Sequence, residues 1–270
     1  MLLLHRILNI FFMNKRGFNL FENLPTVTKN LIFINVLFWI ATLLMAKKNI
    51  DLTALLGLHY PASKDFRLFQ LITYMFMHGS WAHIFFNMFA VYMFGRVLEL
   101  QWGPKRFLTY YMITGMGAAW INILVAFIRI KGIEAELDFG AIDIVYRDGL
   151  AVMKQGKQYV DAATEQISLA GKLNILINAP TVGASGAVFG ILLAFGMLFP
   201  NMPLFIIPFP FPIKAKYLVI GYGAIELFAG VANLPFDNIA HFAHLGGMLF
   251  GIIMVLHWRK KDRNNGRLSY

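Results

Sequence analysis

The chain contains no cysteine, which excludes disulfides, thiol catalysis and cysteine-based metal sites. Charge is scarce too. Asp, Glu, Lys and Arg make up 14 % of the 270 residues, where an average soluble domain carries about 25 %. Hydrophobic residues fill the difference at 58 %, with 26 Phe among them. A soluble globule of this length has nowhere to hide so much apolar surface. Disorder and nucleic-acid-binding arrays are thereby excluded, although 24 basic residues against 14 acidic ones leave a net charge of +10. In an apolar chain that excess reads first as the positive-inside asymmetry of a membrane protein.

Apolar runs confirm the direction. Met1–Leu20 is apolar but broken by Arg6, Lys15 and Arg16, and no small-residue cleavage site follows it. It reads as an interfacial helix rather than a signal peptide. Six apolar stretches come next: Asn30–Ala46, Trp81–Gly95, Phe107–Ile128, Val182–Phe199, Tyr217–Val231 and Ile239–His257. Each approaches the roughly 20 residues that cross a bilayer. The expected fold is therefore an all-α membrane protein, a polytopic bundle of six transmembrane helices. The expected organisation is an N-terminal cytoplasmic or interfacial segment (1–29), a six-helix domain (30–257) and a basic cytoplasmic tail (258–270).

Six spans put both termini on one side. That side collects 14 basic residues against Glu22, Glu99 and Asp262, while the opposite side is neutral. The positive-inside rule then sets both termini in the cytoplasm. The long segment 131–181 falls outside. Within Gly149–Leu173, Val160, Ala163, Ile167 and Ala170 recur at helical spacing and predict an amphipathic helix on the outer membrane face or the bundle rim. Pro203–Pro212 is too proline-rich for a regular helix and reads as a hydrophobic cytoplasmic loop.

Polar residues inside lipid-length runs mark function by default. Three groups stand out. Gly183-Ala184-Ser185-Gly186 opens the fourth stretch. A serine between glycines at a helix N-terminus is open to a close backbone, faces free N–H groups and feels the positive end of the dipole. The same residues also make an ordinary small-residue packing face. In the sixth stretch, Gly247 and Gly251 form a smooth stripe with His244 on the same face. A helix packed along it would bring His244 to the serine as a base to its nucleophile; a histidine hydrogen-bonded between helices is the plainer alternative. His241, one turn earlier and nearer the outer surface, reads as a support to the site or as structural. In the second stretch, His83 and Asn87 share a helix face below His78, and both carry donors able to hold an oxyanion. These histidines could instead hold zinc, but no HExxH motif and no neighbouring carboxylate in the sequence favours that.

Taken in order, these groups resemble the rhomboid family of intramembrane serine proteases. The pattern is His78, His83 and Asn87, then Gly183, Ser185 and Gly186, then Ala243-His244 with Gly247 and Gly251. The match covers about Thr28–His257. Glu99, Gly103 and Phe69-Gln70 look like further family features, with Phe-Gln standing where some members have Trp-Arg. Phe189 stands where many have Tyr.

The resemblance implies a serine endopeptidase that cuts transmembrane or membrane-proximal segments of other membrane proteins. Helix-destabilising substrate segments and a small residue before the cut are implied likewise. Ser185 is implied as nucleophile and His244 as base. His83, Asn87 and the Ser185 backbone N–H are implied as the oxyanion hole. His78, Gly183, Gly186, Phe189, Gly247 and Gly251 are implied as supports. No Asp or Glu stands beside His244 in the sequence, so a Ser–His dyad is expected, with Phe189 packing in place of an orienting carboxylate. Glu226 is left as an interhelical hydrogen-bonding group or a gate residue. No cofactor is expected. The expected partners are transmembrane protein substrates and the lipid bilayer, not nucleic acid. The expected location is a bacterial inner membrane, with the site open to the extracytoplasmic side. The fifth stretch and the Asn233–Asp237 loop are implied to move when substrate enters.

Overall fold

The computed structural model describes residues 24–161, 166–205, 211–232 and 240–265. These residues are mostly helical. In chain order they form α1 (Thr26–Ala46), α2 (Leu52–Leu56), α3 (Gln70–Thr73), α4 (Trp81–Ala90), α5 (Arg96–Trp102) and α6 (Pro104–Glu134). Then come α7 (Phe139–Lys154), α8 (Leu169–Asn178), α9 (Ser185–Leu198), α10 (Ala215–Ala232) and α11 (Ala240–Asn264). Two short strands, β1 (Pro203–Leu204) and β2 (Ile213–Lys214), pair antiparallel between α9 and α10. Among the described residues, four helices are long and apolar enough to cross a membrane: α1, α6, α10 and α11. The expected second stretch is shared between α4 and the π-helical turn Val91–Gly95 that leads into α5. The expected fourth is the 14-residue α9. The Met1–Leu20 helix lies outside the described residues.

Local chemistry sets where these helices begin. Nothing in Pro25-Thr26-Val27 caps α1, so its first N–H groups need a partner from elsewhere. Glu99 provides it: its carboxylate accepts from Val27 N at 2.9 Å, Thr28 N at 2.7 Å and Thr28 Oγ1 at 2.8 Å. Ser80 is extended and caps α4, its hydroxyl accepting from His83 N at 3.1 Å. Gly103 takes φ +80°, a conformation suited to glycine, and Pro104 opens α6 at its first position.

At the centre stands α9, apolar all round and buried along nearly its whole length. Small residues let its neighbours approach closely. A Cβ on Gly190 would meet Thr114 of α6 at 2.7 Å, and one on Gly196 would meet Val219 of α10 at 2.7 Å. One on Gly247 of α11 would run into the Gly186 carbonyl, so these two backbones touch. Gly186 in turn lies against Ala118, halfway along α6. Helix directions follow from such contacts. Gly186 and Met197 of α9 meet Gly247 and Arg259 of α11 in the same order, so these helices run parallel. Gly186 and Gly190 meet Ala118 and Thr114 in reverse order, so α6 runs against α9. The helix α10 runs against α11, with Gly223 near Met248 and Gly230 near Phe242. At the basic end, Arg106 holds Asp262 in a two-pronged ion pair at 2.8 and 2.7 Å, and Arg259 donates to Met197 O at 2.7 Å.

Beyond the far end of α6 lies a second, smaller core of Ile130, Val145, Leu173 and Ile177. It joins α7 and α8 to the end of α6 and to the α2–α3 segment. His59 bridges Asn178 O and Ala54 O at 3.0 and 2.8 Å, and Ser63 donates to Asn178 Oδ1 at 2.8 Å. The buried Gln70 gathers the α2–α3 segment, donating to Leu55 O and Asp65 O and accepting from Arg67 N. Tyr146 donates to Glu134 at 2.7 Å. Burial and then that hydrogen bond raise the Tyr146 phenol pKa above its ordinary value, so it remains a donor at neutral pH.

The helix expected over Gly149–Leu173 is not continuous among the described residues, and Ala163 lies outside them. Helix α7 ends at Lys154, Gly156 takes φ +70°, and Val160 pairs with Ile167 as an antiparallel bridge before Ser168 caps α8. The Gly156 turn and the Ser168 cap outweigh the apolar spacing. Pro203–Pro212 is in part an extended ribbon, with 206–210 outside the described residues.

Candidate active site

The first turn of α9 presents Ser185 halfway down the bundle, since its neighbour Gly186 rests on the middle of α6. Before it, Gly183 takes φ +131° and donates its N–H to Tyr74 O at 2.9 Å. A Cβ there would sit 2.7 Å from the His83 ring and 3.4 Å from Ser185 Oγ. Only glycine combines that backbone with that crowding. The missing side chain thus lets α4 and α9 share one small space.

Close approach of α9 and α11 along Gly186 and Gly247 brings His244 to the serine: His244 Nε2 lies 2.8 Å from Ser185 Oγ. Phe189, one turn beyond Ser185, stacks flat on the imidazole, with centroids 4.2 Å apart and planes 6° from parallel. Tyr222 of α10 meets the Phe189 ring edge-on at 6.2 Å. Gly251 sits one turn below Gly247 against Tyr110 and Leu193.

On the other side of the serine stand the residues of α4. The His83 Nδ1 faces the Gly79 N–H at 3.5 Å, and the Cε1–Nε2 edge of its ring faces Gly183. Asn87, one turn on, is buried, and its Nδ2 donor finds no acceptor among the described residues. His78 is buried and packs edge-on against His83 at 5.0 Å.

One expectation is overturned. His244 does have a carboxylate beside it. Glu226 of α10 lies with Oε2 2.9 Å from His244 Nδ1 and 2.7 Å from His241 Nδ1. The carboxylate is 11 % exposed and the His244 side chain 16 %. The arrangement depends on how α10 docks on α11, which sequence spacing does not reveal. A signal existed nonetheless: an acid in one apolar stretch and two histidines at i and i+3 in the next, each too polar to face lipid alone. The same finding revises the metal question. Among the described residues, the group with ligand spacing is Glu226, His241 and His244, whose donor atoms lie within 4.8 Å of one another. His78 and His83 do not belong to it. Two hydrogen bonds already account for the Glu226 oxygen and both Nδ1 atoms.

The arrangement is suited to acyl transfer. A hydroxyl meets an imidazole, the imidazole meets a carboxylate, and the His83 ring of a neighbouring helix lies beside Gly183.

Comparison with known proteins agrees in kind. A family model described as Rhomboid domain matches residues 65–261. Rhomboid protein 1, mitochondrial, of Saccharomyces cerevisiae is 26 % identical over 245 residues, covering 87 % of this chain and 56 % of that protein. Rhomboid-like protein 11, chloroplastic, of Arabidopsis thaliana is 24 % identical, covering 69 % of this chain and 51 % of its own length. RHOMBOID-like protein 12, mitochondrial, of the same plant is 28 % identical, covering 73 % and 48 %. The chain spans about half the length of these relatives. Their names refer to mitochondria and chloroplasts, and so lend no support to the bacterial membrane expected from the sequence.

Proposed function

The chain belongs to the rhomboid family, and from that membership we propose that it is an intramembrane serine endopeptidase acting on other membrane proteins. The observation that carries this reading is the 2.8 Å contact between His244 Nε2 and Ser185 Oγ, made by residues 59 apart in the chain.

In this mechanism Ser185 Oγ attacks the scissile carbonyl while His244 Nε2 takes its proton. The oxyanion that forms is held by the His83 Nε2–H, the Asn87 amide and the Ser185 backbone N–H. His244 then protonates the leaving amine, and water reaching the polar interior hydrolyses the acyl-enzyme. Gly183 keeps the oxyanion side open, and Phe189 holds the imidazole plane. His78 backs His83, while Gly186, Gly247 and Gly251 allow the helix approach.

Six crossings form the protease domain over residues 30–257, with 258–270 as a cytoplasmic tail. Three observations support six rather than four. The second stretch meets α9 in parallel, His83 beside Gly183 and Phe94 beside Phe195, as α9 meets α11; α6 runs against α9 and α10 against α11; and bulky apolar residues of α4 such as Phe85, Phe86 and Phe89 are exposed. Soluble packing has no use for such a face. The protein is then an integral membrane protein whose site opens on the side of the 131–181 segment.

A fluorophosphonate probe and a reporter transmembrane substrate test the proposal on purified protein. Ser185→Ala and His244→Ala should each abolish cleavage while leaving insertion and thermal stability near wild type. Ser185→Ala should also abolish labelling. Cleavage retained by Ser185→Ala refutes the assignment.

A further inference from the structure

Resting on that reading, we infer that Glu226 is a positioning residue, the third member of a Ser185–His244–Glu226 relay whose carboxylate selects the working tautomer of the base. A neutral imidazole carries one N–H, and the two nitrogens differ only in what they face. Here His244 Nδ1 faces Glu226 Oε2 at 2.9 Å and Nε2 faces Ser185 Oγ at 2.8 Å. An ionised carboxylate only accepts, so it requires the proton on Nδ1. The Nε2 lone pair is then left for the serine proton. When that proton arrives, the resulting imidazolium stands beside a fixed negative charge. The ring cannot turn away, because Phe189 stacks on it with planes 6° apart.

His241 completes the arrangement. Its Nδ1 lies 2.7 Å from the same Oε2, so the carboxylate is held from two successive turns of α11. Around His244 the titratable groups are thus Glu226 from α10, His241 from its own helix and His83 from α4. An acid in an apolar helix is costly unless paired, and these two contacts pair it. The contact has a further consequence. Because Glu226 belongs to α10 and His244 to α11, any displacement of α10 disconnects the carboxylate from the base. The reactive serine is therefore fully activated only when α10 is docked.

The test uses the full chain in liposomes with the reporter transmembrane substrate. Glu226→Gln keeps the shape but offers an amide N–H to Nδ1, favouring the wrong tautomer. It should lower kcat by up to about 10⁴-fold, the drop that accompanies the change of a triad carboxylate to an amide, with KM changed less than about threefold. Glu226→Asp, which keeps the charge, should retain at least tenfold more activity than Glu226→Gln. A second measurement leaves Glu226 in place: ¹⁵N NMR of histidine-labelled Ser185→Ala should show neutral His244 protonated on Nδ1. A Glu226→Gln rate within threefold of wild type, or His244 protonated on Nε2, overturns the relay while leaving the serine protease reading intact. Cleavage by Ser185→Ala would instead remove the reading beneath it. Loss of wild-type activity on chelation, restored by zinc, would make the carboxylate a metal ligand and overturn the proposal.

Discussion

Single residues carry the chemistry here because backbones come unusually close. Gly183 is the sharpest case. Its φ of +131° is disfavoured for any L side chain, and a Cβ would sit 2.7 Å from the His83 ring. Gly183→Ala should therefore destabilise the fold by about 1–3 kcal/mol. It should also displace His83 from the oxyanion side, with a fall in kcat larger than the change in KM. Thermal melts and steady-state kinetics on the reporter substrate measure the two effects separately. Equal activity in the alanine variant would mean that His83 has room to spare. The Gly-x-Ser-Gly run, the His244 stripe and the His83/Asn87 face were all legible in the sequence, because small-residue and i,i+4 spacing map directly onto helix faces. Glu226 was not legible as a partner of His244. It lies 18 positions away, on a helix whose docking no periodicity encodes.

Among the elements, the long apolar helices were the most legible. The runs predicted at Asn30–Ala46, Phe107–Ile128, Tyr217–Val231 and Ile239–His257 became α1, α6, α10 and α11 with shifted ends. At the start of α1 and of α6 the ends moved because local partners, not hydropathy, set them. Glu99 illustrates this. It stands 71 residues from Thr28 in sequence, yet it satisfies the first turn of α1 with three hydrogen bonds and is only 4 % exposed. The α1 terminus then depends on a charge supplied by α5. Glu99→Ala should cost about 2–3 kcal/mol and fray α1 first. Thermal unfolding of the purified protein gives the total. Hydrogen exchange at the start of α1 shows where the loss falls, and unchanged protection there would contradict the capping role. The 139–178 segment was the least legible element. Its apolar residues serve a small core shared with α6, so their spacing reflects two short helices and a bridge rather than one continuous face.

The whole molecule has two unlike ends, and the absence of cysteine makes them easy to tell apart. At one end, α5, the start of α6 and the end of α11 gather Arg96, Lys105, Arg106, Arg259, Lys260, Lys261 and Arg263. The other end holds α7 and α8, where basic and acidic residues balance. Charge of this kind decides orientation through the short basic segments next to the spans. If six spans cross the bilayer, Lys157 beyond α7 and Asn264 at the end of α11 lie on opposite sides. Both are exposed, and with no native thiol a single Cys at either position is the only reactive one in the chain. In intact cells or right-side-out vesicles, a membrane-impermeant maleimide should label Lys157→Cys at once. Asn264→Cys should be labelled only after the membrane is opened. Labelling both from the same side would mean that α9 does not complete a crossing, since α9, α10 and α11 are the helices between the two positions that would have to cross. Ser185, seated halfway down the bundle, would then face the compartment opposite to the one its charge asymmetry indicates.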